Sequence, residues 1–174
     1  MSKTLILGMG NKYFGDDGVG IIIVEKLSSL LKNHTNIKVE ETNWGGFRII
    51  DLLSGYDRAI VIDAICTGKA ELGHIHRYDY KDLIKSPRMV SFHDINFATA
   101  VEFARELEIP MPDDISVYAV EIEESNTFSE VLTHKVQLSI EKCVALIMTD
   151  LGFHRTINSD YSGLYCEKLE EIKC

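Results

Sequence analysis

The chain has 174 residues, of which 45% are hydrophobic, and this length fits one globular domain that can bury about two-thirds of its unfolded surface. With 27 acidic residues against 18 lysines and arginines, the formal net charge of -9 argues against a general attraction to nucleic acid or anionic lipid. No apolar run approaches the about 18 residues of a membrane span, and the N-terminus lacks a signal-peptide core. We therefore expect a cytoplasmic protein with neither nucleic acid nor membrane as partner.

Short apolar or β-branched segments alternate with amphipathic ones along most of the chain. Segments of the first kind predict strands, and segments with apolar residues at helical spacing predict helices. The predicted strands are 4–8, 37–41, 58–64, 73–80 and 115–122, and the predicted helices are 17–31, 47–53, 95–107 and 131–151. This alternation predicts an α/β fold, a three-layer α/β/α sandwich with a central, mostly parallel but mixed sheet of about five strands.

We expect residues 1–152 to form a single α/β domain. The last segment, 153–174, is polar and has no clear apolar period, so we expect it either to be part of the same domain or to be partly disordered. The four cysteines contain no C-x-x-C pair, which argues against a zinc knuckle or a thioredoxin-like motif.

The first predicted strand runs into a glycine-rich turn, GMGNKYFGDDGVG at residues 8–20, with two adjacent aspartates where a helix begins. A dinucleotide-binding turn would need a third glycine at the position of Tyr13, and no Gly-Lys-Ser/Thr of a P-loop follows. Asp16 and Asp17 would repel a phosphate but complement the positive end of the helix dipole. The turn therefore suits a cation or a proton, although helix capping by one aspartate also explains it.

A further acid ends the third predicted strand, where RAIVIDAI places Asp63 at the carboxyl end. In doubly wound sheets the first and third strands are commonly neighbours, and ligands bind beyond the carboxyl ends of the strands. Asp17 and Asp63 are thus predicted to converge on one crevice. Two close, partly buried carboxylates are costly unless they share a proton or bind a cation, so we predict one of these two arrangements.

His93, in VSFHDIN, is the third candidate and lies in the loop before the next helix. Alone, a loop histidine is more often hydrogen-bonded to the backbone. With the two aspartates it forms a mixed nitrogen and oxygen ligand set suited to divalent transition metals, without choosing among zinc, nickel, iron and manganese. His74 and His76 share one face of a strand and could also bind metal, but a solvent-facing edge strand explains them more simply.

Four segments carry a resemblance to a known family: LILGMGNKYFGDDGVG near the N-terminus, IVIDA at 60–64, SFHDIN at 91–96, and VYAVEIEE with FSEVLTHKV within 117–136. Together they resemble the [NiFe]-hydrogenase maturation proteases, also called hydrogenase maturation endopeptidases, over about residues 4–148. The resemblance implies an enzyme that removes the C-terminal extension of a hydrogenase large-subunit precursor after nickel insertion. It also implies that Asp17, Asp63 and His93 bind the metal, and that the nickel arrives within the precursor.

The sequence departs from the family pattern after the second predicted strand, where many relatives have an Asp-Gly-Gly-Thr-like stretch. Here the segment is EETNWGGFR, with Glu41 as the nearest match to the acid and Trp44 in place of the threonine. The resemblance assigns Glu41, Trp44, Gly45 and Gly46 to substrate binding. A core or lid position would explain the aromatic ring of Trp44 equally well.

Peptide hydrolysis needs a nucleophile and a group that stabilises the oxyanion. The sequence has no Gly-x-Ser-x-Gly elbow and no His-Glu-x-x-His helix, so neither a serine triad nor a zincin is supported. Two routes stay open: a metal-dependent one, in which nickel polarises the carbonyl or activates water, and an aspartyl-type one, in which an acid of the group Asp16, Asp17 and Asp63 is the general base. Asp17 and Asp63 serve in both routes.

The alternative function is a nickel-sensing escort that binds the precursor without cutting it. A monomer or a weak dimer fits either function.

Overall fold

A computed structural model of the protein describes residues 2–84, 97–123, 128–155 and 165–166. Within these residues lie the strands β1 (Thr4–Met9), β2 (Ile37–Thr42), β3 (Arg58–Ile65), β4 (Ile75–Asp79) and β5 (Asp114–Glu121). They form a five-stranded sheet in the order β2-β1-β3-β5-β4. β1 pairs in parallel with β2 and β3, and β3 with β5, whereas β4 is antiparallel to β5. The predicted mixed, mostly parallel sheet is confirmed, as is the pairing of the first and third strands.

Helices cover both faces of the sheet. They are a 3-10 helix (Gly15–Gly18), α1 (Val19–Leu31), α2 (Arg48–Leu53), α3 (Tyr80–Ile84), α4 (Phe97–Glu106) and α5 (His134–Asp150). α1 and α5 pack on one face, and α2, α3 and α4 contribute to the core on the other, which makes the predicted α/β/α sandwich. The first long helix begins at Val19 because the 3-10 helix precedes it, and the last begins at His134 because residues 131–133 approach it as loop.

The strand β1 shows why a continuous apolar run correctly predicted a strand buried on both faces. Each of its side chains is buried, because consecutive residues of a strand point to opposite faces and both faces are covered. Leu5 and Leu7 belong to the core beneath α2 and α4, and Ile6 belongs to the core beneath α1 and α5. Val61 of β3 lies in the first of these cores, so the two-residue period places Asp63 on the same face of the sheet.

Glycine residues allow the start of α1 to lie directly against the strand ends. A Cβ atom on Gly20 would collide with the carbonyl oxygens of Met9 and Ile62, at 2.5 Å from the latter. Gly10 has φ +134°, and a Cβ there would overlap the carbonyl oxygen of Asp17. The glycine-rich turn therefore permits close packing and brings the 3-10 helix into contact with β3.

The chain continues past α5 with a buried phenylalanine, Phe153, whose ring meets that of His34 edge-on at 4.8 Å. Two short strands follow, β6 (His154–Arg155) and β7 (Tyr165–Cys166), which pair in antiparallel fashion. No helix among the described residues combines the length and the apolar character needed to cross a bilayer.

Candidate active site

Asp17 lies in the 3-10 helix that connects the β1 turn to α1, and it is partly buried. One of its carboxylate oxygens accepts a hydrogen bond from the main-chain N–H of Asn11 at 2.8 Å, so the turn holds the carboxylate in position. The residue at the N-cap of α1 is Gly18, which offers no side-chain cap. Neither aspartate of the pair therefore occupies the capping position of this helix.

Asp63 lies near the carboxyl end of β3, opposite Ala119 of β5, and is partly buried. The pKa of its carboxyl group is raised from 3.8 to about 7 in all: burial is the main cause, a 2.8 Å hydrogen bond from the N–H of Ala64 opposes it, and the negative charge of Asp17 adds to it. The two carboxylates are thus close enough to interact electrostatically. The structure brings Asp17 and Asp63 together, as the strand order and the glycine turn require.

Asp16 makes different contacts although it is the sequence neighbour of Asp17. It is 7% exposed, and its two carboxylate oxygens accept hydrogen bonds from Thr133, one from the main-chain N–H at 2.6 Å and one from the hydroxyl at 2.8 Å. Thr133 is the N-cap of α5. The carboxylate of Asp16 therefore joins the start of α1 to the start of α5.

His93 lies outside the described residues. The chain enters its segment from α3 and leaves it into α4, and both helices contribute to the core on the sheet face that carries Asp63. Within 2–84, 97–123, 128–155 and 165–166, no three His, Cys, Asp or Glu side chains are placed to hold a metal ion. The described part of the chain thus brings together two carboxylates, whose oxygen atoms are of the kind that divalent cations bind.

The turn after β2 lies on the opposite side of β1 from Asp63. The carbonyl of Thr42 accepts a hydrogen bond from the N–H of Gly10 at 3.2 Å, which joins this turn to the glycine-rich turn. The Thr42 hydroxyl accepts a second one from the N–H of Trp44 at 3.0 Å. The indole of Trp44 is 57% exposed and lies 4.3 Å from the guanidinium of Arg48, so the ring is on the surface and not in the core.

The other predicted substrate-binding residues flank this tryptophan. Glu41, the last-but-one residue of β2, is exposed and lies 3.5 Å from the ammonium group of Lys12. Gly45 is partly buried, and Gly46, at φ +68°, accepts a hydrogen bond from the N–H of Ile49 at the start of α2. Residues 41–44 line a groove of about 620 Å³ together with residues of the glycine-rich turn, whereas Gly45 and Gly46 are not part of its lining. Asn11, which holds Asp17, also lines this groove and connects it to the aspartate pair.

One buried cluster was missed in the sequence. Glu121, at the end of β5, is 1% exposed and accepts hydrogen bonds from the N–H and hydroxyl of Thr67, the N–H of Gly68 and the Nε2 of His76. The interpretation of His76 as solvent-facing is therefore wrong: β4 is an edge strand, but the imidazole is only 16% exposed because it packs against Glu121. The sequence did contain a signal for this cluster: in AVEIEE the acid Glu121 follows an apolar run, as Asp63 does in β3.

Comparison with known proteins supplies the family. Residues 21–150 match the family model described as hydrogenase maturation protease.

The chain belongs to the hydrogenase maturation protease family.

Members and relatives of the hydrogenase maturation protease family share both sequence and fold with this chain. It is 28% identical over 105 residues to the hydrogenase expression/formation protein HupD of Bradyrhizobium diazoefficiens, an alignment that covers 59% of this chain and 54% of HupD. The chain thus spans about half the length of that relative.

Two solved structures share the fold of this hydrogenase maturation protease. The hydrogenase maturating endopeptidase HybD from E. coli superposes with a TM-score of 0.72 at 22% identity, covering 86% of this chain and 91% of HybD. The [NiFe] hydrogenase maturation protease HybD from Thermococcus kodakarensis superposes with a TM-score of 0.64 at 21% identity, covering 86% and 98%. At these identities the likeness establishes the α/β fold.

Proposed function

We propose that the protein is an endopeptidase that removes the C-terminal extension of a nickel-loaded [NiFe]-hydrogenase large-subunit precursor. The observation that carries this proposal is the pair of carboxylates, Asp17 and Asp63, which lie close enough for the charge of one to raise the pKa of the other. Membership in a family of hydrogenase maturation proteases supports the reaction and the type of substrate. The name of the T. kodakarensis structure, a [NiFe] hydrogenase maturation protease, supports the proposal that the substrate is a nickel-containing hydrogenase.

We assign recognition of the nickel to Asp17, Asp63 and His93, and we regard the nickel as part of the substrate. Two adjacent carboxylates repel each other until a cation or a proton lies between them, so a precursor that presents a divalent cation gains affinity that an empty precursor lacks. Nickel held by these residues would supply a Lewis acid that polarises the peptide carbonyl. Metal-gated binding then makes cleavage follow nickel insertion.

The chain's own groups position and move the proton. In the aspartyl-type route, the carboxylate of Asp63 takes a proton from water as the hydroxide adds to the carbonyl carbon, and returns it to the leaving amine when the C–N bond breaks. A pKa of about 7 suits a group that both accepts and donates a proton near neutral pH. Asp17, held by the N–H of Asn11, orients the metal-bearing end of the substrate. In the metal-dependent route both aspartates act as ligands only.

Glu41, Trp44, Gly45 and Gly46 are proposed to contact the precursor beside the scissile bond. The groove that Glu41 and Trp44 line adjoins the aspartate pair through Asn11, which supports this assignment. Asp16 is left out of the reaction, because Thr133 binds both of its carboxylate oxygens.

The test is the intact mass of the large-subunit precursor after incubation with the protein, with and without prior nickel loading. Loss of one defined C-terminal peptide from the nickel-loaded precursor alone is expected. Asp17→Asn and Asp63→Asn should each lower the cleavage rate at least about a hundredfold, consistent with loss of an acid–base or metal-positioning group. Glu71→Gln, which removes an exposed carboxylate in the turn before β4 at the other edge of the sheet, is the matched control and should cleave normally.

Two results would contradict the proposal. Full cleavage by Asp17→Asn would make both routes wrong. Stable complex formation between the protein and the nickel-loaded precursor, without any change of mass, would replace the protease by a nickel-sensing escort.

A further inference from the structure

A groove runs between α1 and β2, on the other side of β1 from Asp63. Its wider part, about 620 Å³, lies at the carboxyl end of β2 and includes Lys12, Trp44 and Glu130. Its narrower part, about 400 Å³, continues along α1 past Glu25. Glu41 lines both parts, so they adjoin. We call the two parts together the α1–β2 groove; its elongated shape fits several residues of an extended chain.

The charged side chains in the α1–β2 groove are mainly acidic. Glu25, Glu41 and Glu130 face one basic group, Lys12. The ammonium of Lys12 lies 2.5 Å from Glu25 and 3.5 Å from Glu41, and the hydrogen bond to Glu25 raises the pKa of the lysine. Glu40 also lines the narrower part, but it is not counted because it lies 3.5 Å from the ammonium of Lys38, which balances its charge. Lys12, together with Arg48 beside Trp44, balances two of the three carboxylates and leaves an excess of one negative charge at the groove.

Lys12 shows how a cation is bound there. It bridges acids from two elements, α1 and β2, and its partners are more than a third exposed, so the site is open to solvent. Glu130, on the segment before α5, has no ion pair among those found in the described residues. Glu130 is therefore available to a second cation in the same part of the groove as Lys12.

Exposed aromatic side chains flank the wider part of the groove. Tyr13, 55% exposed, stacks on Phe128 with ring centres 5.7 Å apart, and Trp44 with Arg48 forms the other flank. Aromatic rings are enriched where proteins bind other polypeptides, because they contribute a large contact area at little entropic cost. The flanks thus suit a peptide, and the acids between them suit its positive side chains.

We propose that the α1–β2 groove binds a positively charged, extended segment of the polypeptide substrate, outside the bond that is cut. This inference rests on the proposed function in one respect: it identifies the bound peptide as part of the protease's own substrate. The charged segment adds affinity and orientation that the aspartate pair alone does not supply, so a substrate is selected by its metal at one place and by its charge at another.

Trp44 provides a direct readout of binding. It is the only tryptophan of the chain and it lines the groove, so its fluorescence reports occupation without any cleavage. The probes are two capped eight-residue peptides, one with lysine and one with glutamate at alternate positions, and threonine between. We expect the lysine peptide to shift the Trp44 emission with a Kd at least about tenfold lower than that of the glutamate peptide, a difference that decreases with added salt. Equal affinities would overturn the proposal.

Isosteric variants test whether the charges of individual groove residues cause the tighter binding of the lysine peptide. The double variant Glu41→Gln with Glu130→Gln should weaken binding of the lysine peptide about tenfold. Lys12→Gln should strengthen it, because the acids that Lys12 occupies become available. Glu71→Gln, at the far edge of the sheet, should leave it unchanged. Weaker binding by Lys12→Gln would overturn the proposal, since it would mean that the groove holds an acidic segment.

Precursor cleavage separates this inference from the proposed function. If wild-type protein cuts the precursor and the double variant cuts it with unchanged KM, the groove proposal fails and the function stands. If the lysine peptide binds with the stated charge dependence while no precursor is cut, the groove proposal stands and the protease function fails. A raised KM with little change in kcat for the double variant is the result expected when both hold.

Discussion

The carboxylate of Asp16 binds Thr133, 117 positions later in the chain, through both the main-chain N–H and the hydroxyl of that residue. Asp17, the next residue, binds Asn11 in the glycine-rich turn and interacts with Asp63. The two adjacent aspartates thus have different roles. One joins α1 to α5, and the other belongs to the candidate active site.

Asp16→Ala is expected to destabilise the fold more than Asp17→Ala does. The first change removes two hydrogen bonds to a charged group, one from the main-chain N–H and one from the hydroxyl of Thr133, which costs about 2–3 kcal/mol in the free energy of unfolding. For a chain of this size that corresponds to a fall in Tm of roughly 4–12 °C. Asp17→Ala loses the hydrogen bond from the N–H of Asn11 but relieves repulsion with Asp63, so its Tm should change less than that of Asp16→Ala. Thermal unfolding of the two variants measures the difference, and equal Tm values would contradict it.

The stability of the metal-free protein should fall as pH rises, because of Asp63. The folded pKa of about 7 lies above the ordinary value of 3.8, so the folded state holds this proton more tightly than the unfolded state. The stabilisation is complete below about pH 4 and is lost as pH rises through about 7. Relative to Asp63→Asn, the wild-type free energy of unfolding should drop by about 2–4 kcal/mol over that interval. Urea unfolding of both proteins across the range tests this, and parallel curves would refute it.

Glu121 should make the stability of the protein depend on pH in the opposite direction. Burial raises the pKa of its carboxyl group, but hydrogen bonds from Thr67, His76 and Gly68 outweigh burial and lower the pKa below 4.5. Its contribution to stability is present above that unfolded value and is lost as pH falls through the folded one. Glu121→Gln should therefore lower the free energy of unfolding by about 2–4 kcal/mol at neutral pH and flatten the acid side of the profile. Glu123→Gln, two residues on and exposed, is the control and should match wild type.

Gly20→Ala is expected to lower the free energy of unfolding, although helix propensity alone predicts that it would raise it. Alanine in a helix is favoured over glycine by about 1 kcal/mol, yet here the added Cβ would meet the carbonyl oxygens of Met9 and Ile62. We expect the variant to lose at least about 2 kcal/mol in the free energy of unfolding, with Ser28→Ala on the exposed side of α1 as a neutral control. A Gly20→Ala variant as stable as wild type would mean that α1 does not lie against the strand ends.

Most of the secondary structure could be predicted because burial in this fold follows local sequence. A central strand such as β3 is covered on both faces, so its side chains from Ala59 to Ile62 form a continuous apolar run, and the polar residue that ends the run marks the edge of the sheet. That reasoning located Asp63 and, with the glycine-rich turn, its proximity to Asp17.

The sequence by itself determined the five strands of the sheet, their alternation with the longer helices and the position of Asp63 near the carboxyl end of β3, since these depend on the polarity of consecutive residues. It did not predict the 3-10 helix that carries Asp17, the short helix α3 or the strands β6 and β7. Only the tertiary structure decided which partner each charged side chain has: Asp16 binds Thr133, His76 binds Glu121, and Lys12 bridges Glu25 and Glu41. These pairs join residues far apart in the chain, and a hydrogen bond or ion pair requires its atoms to approach to about 3 Å. That distance is set by how whole helices and strands pack, which no local pattern of residues records.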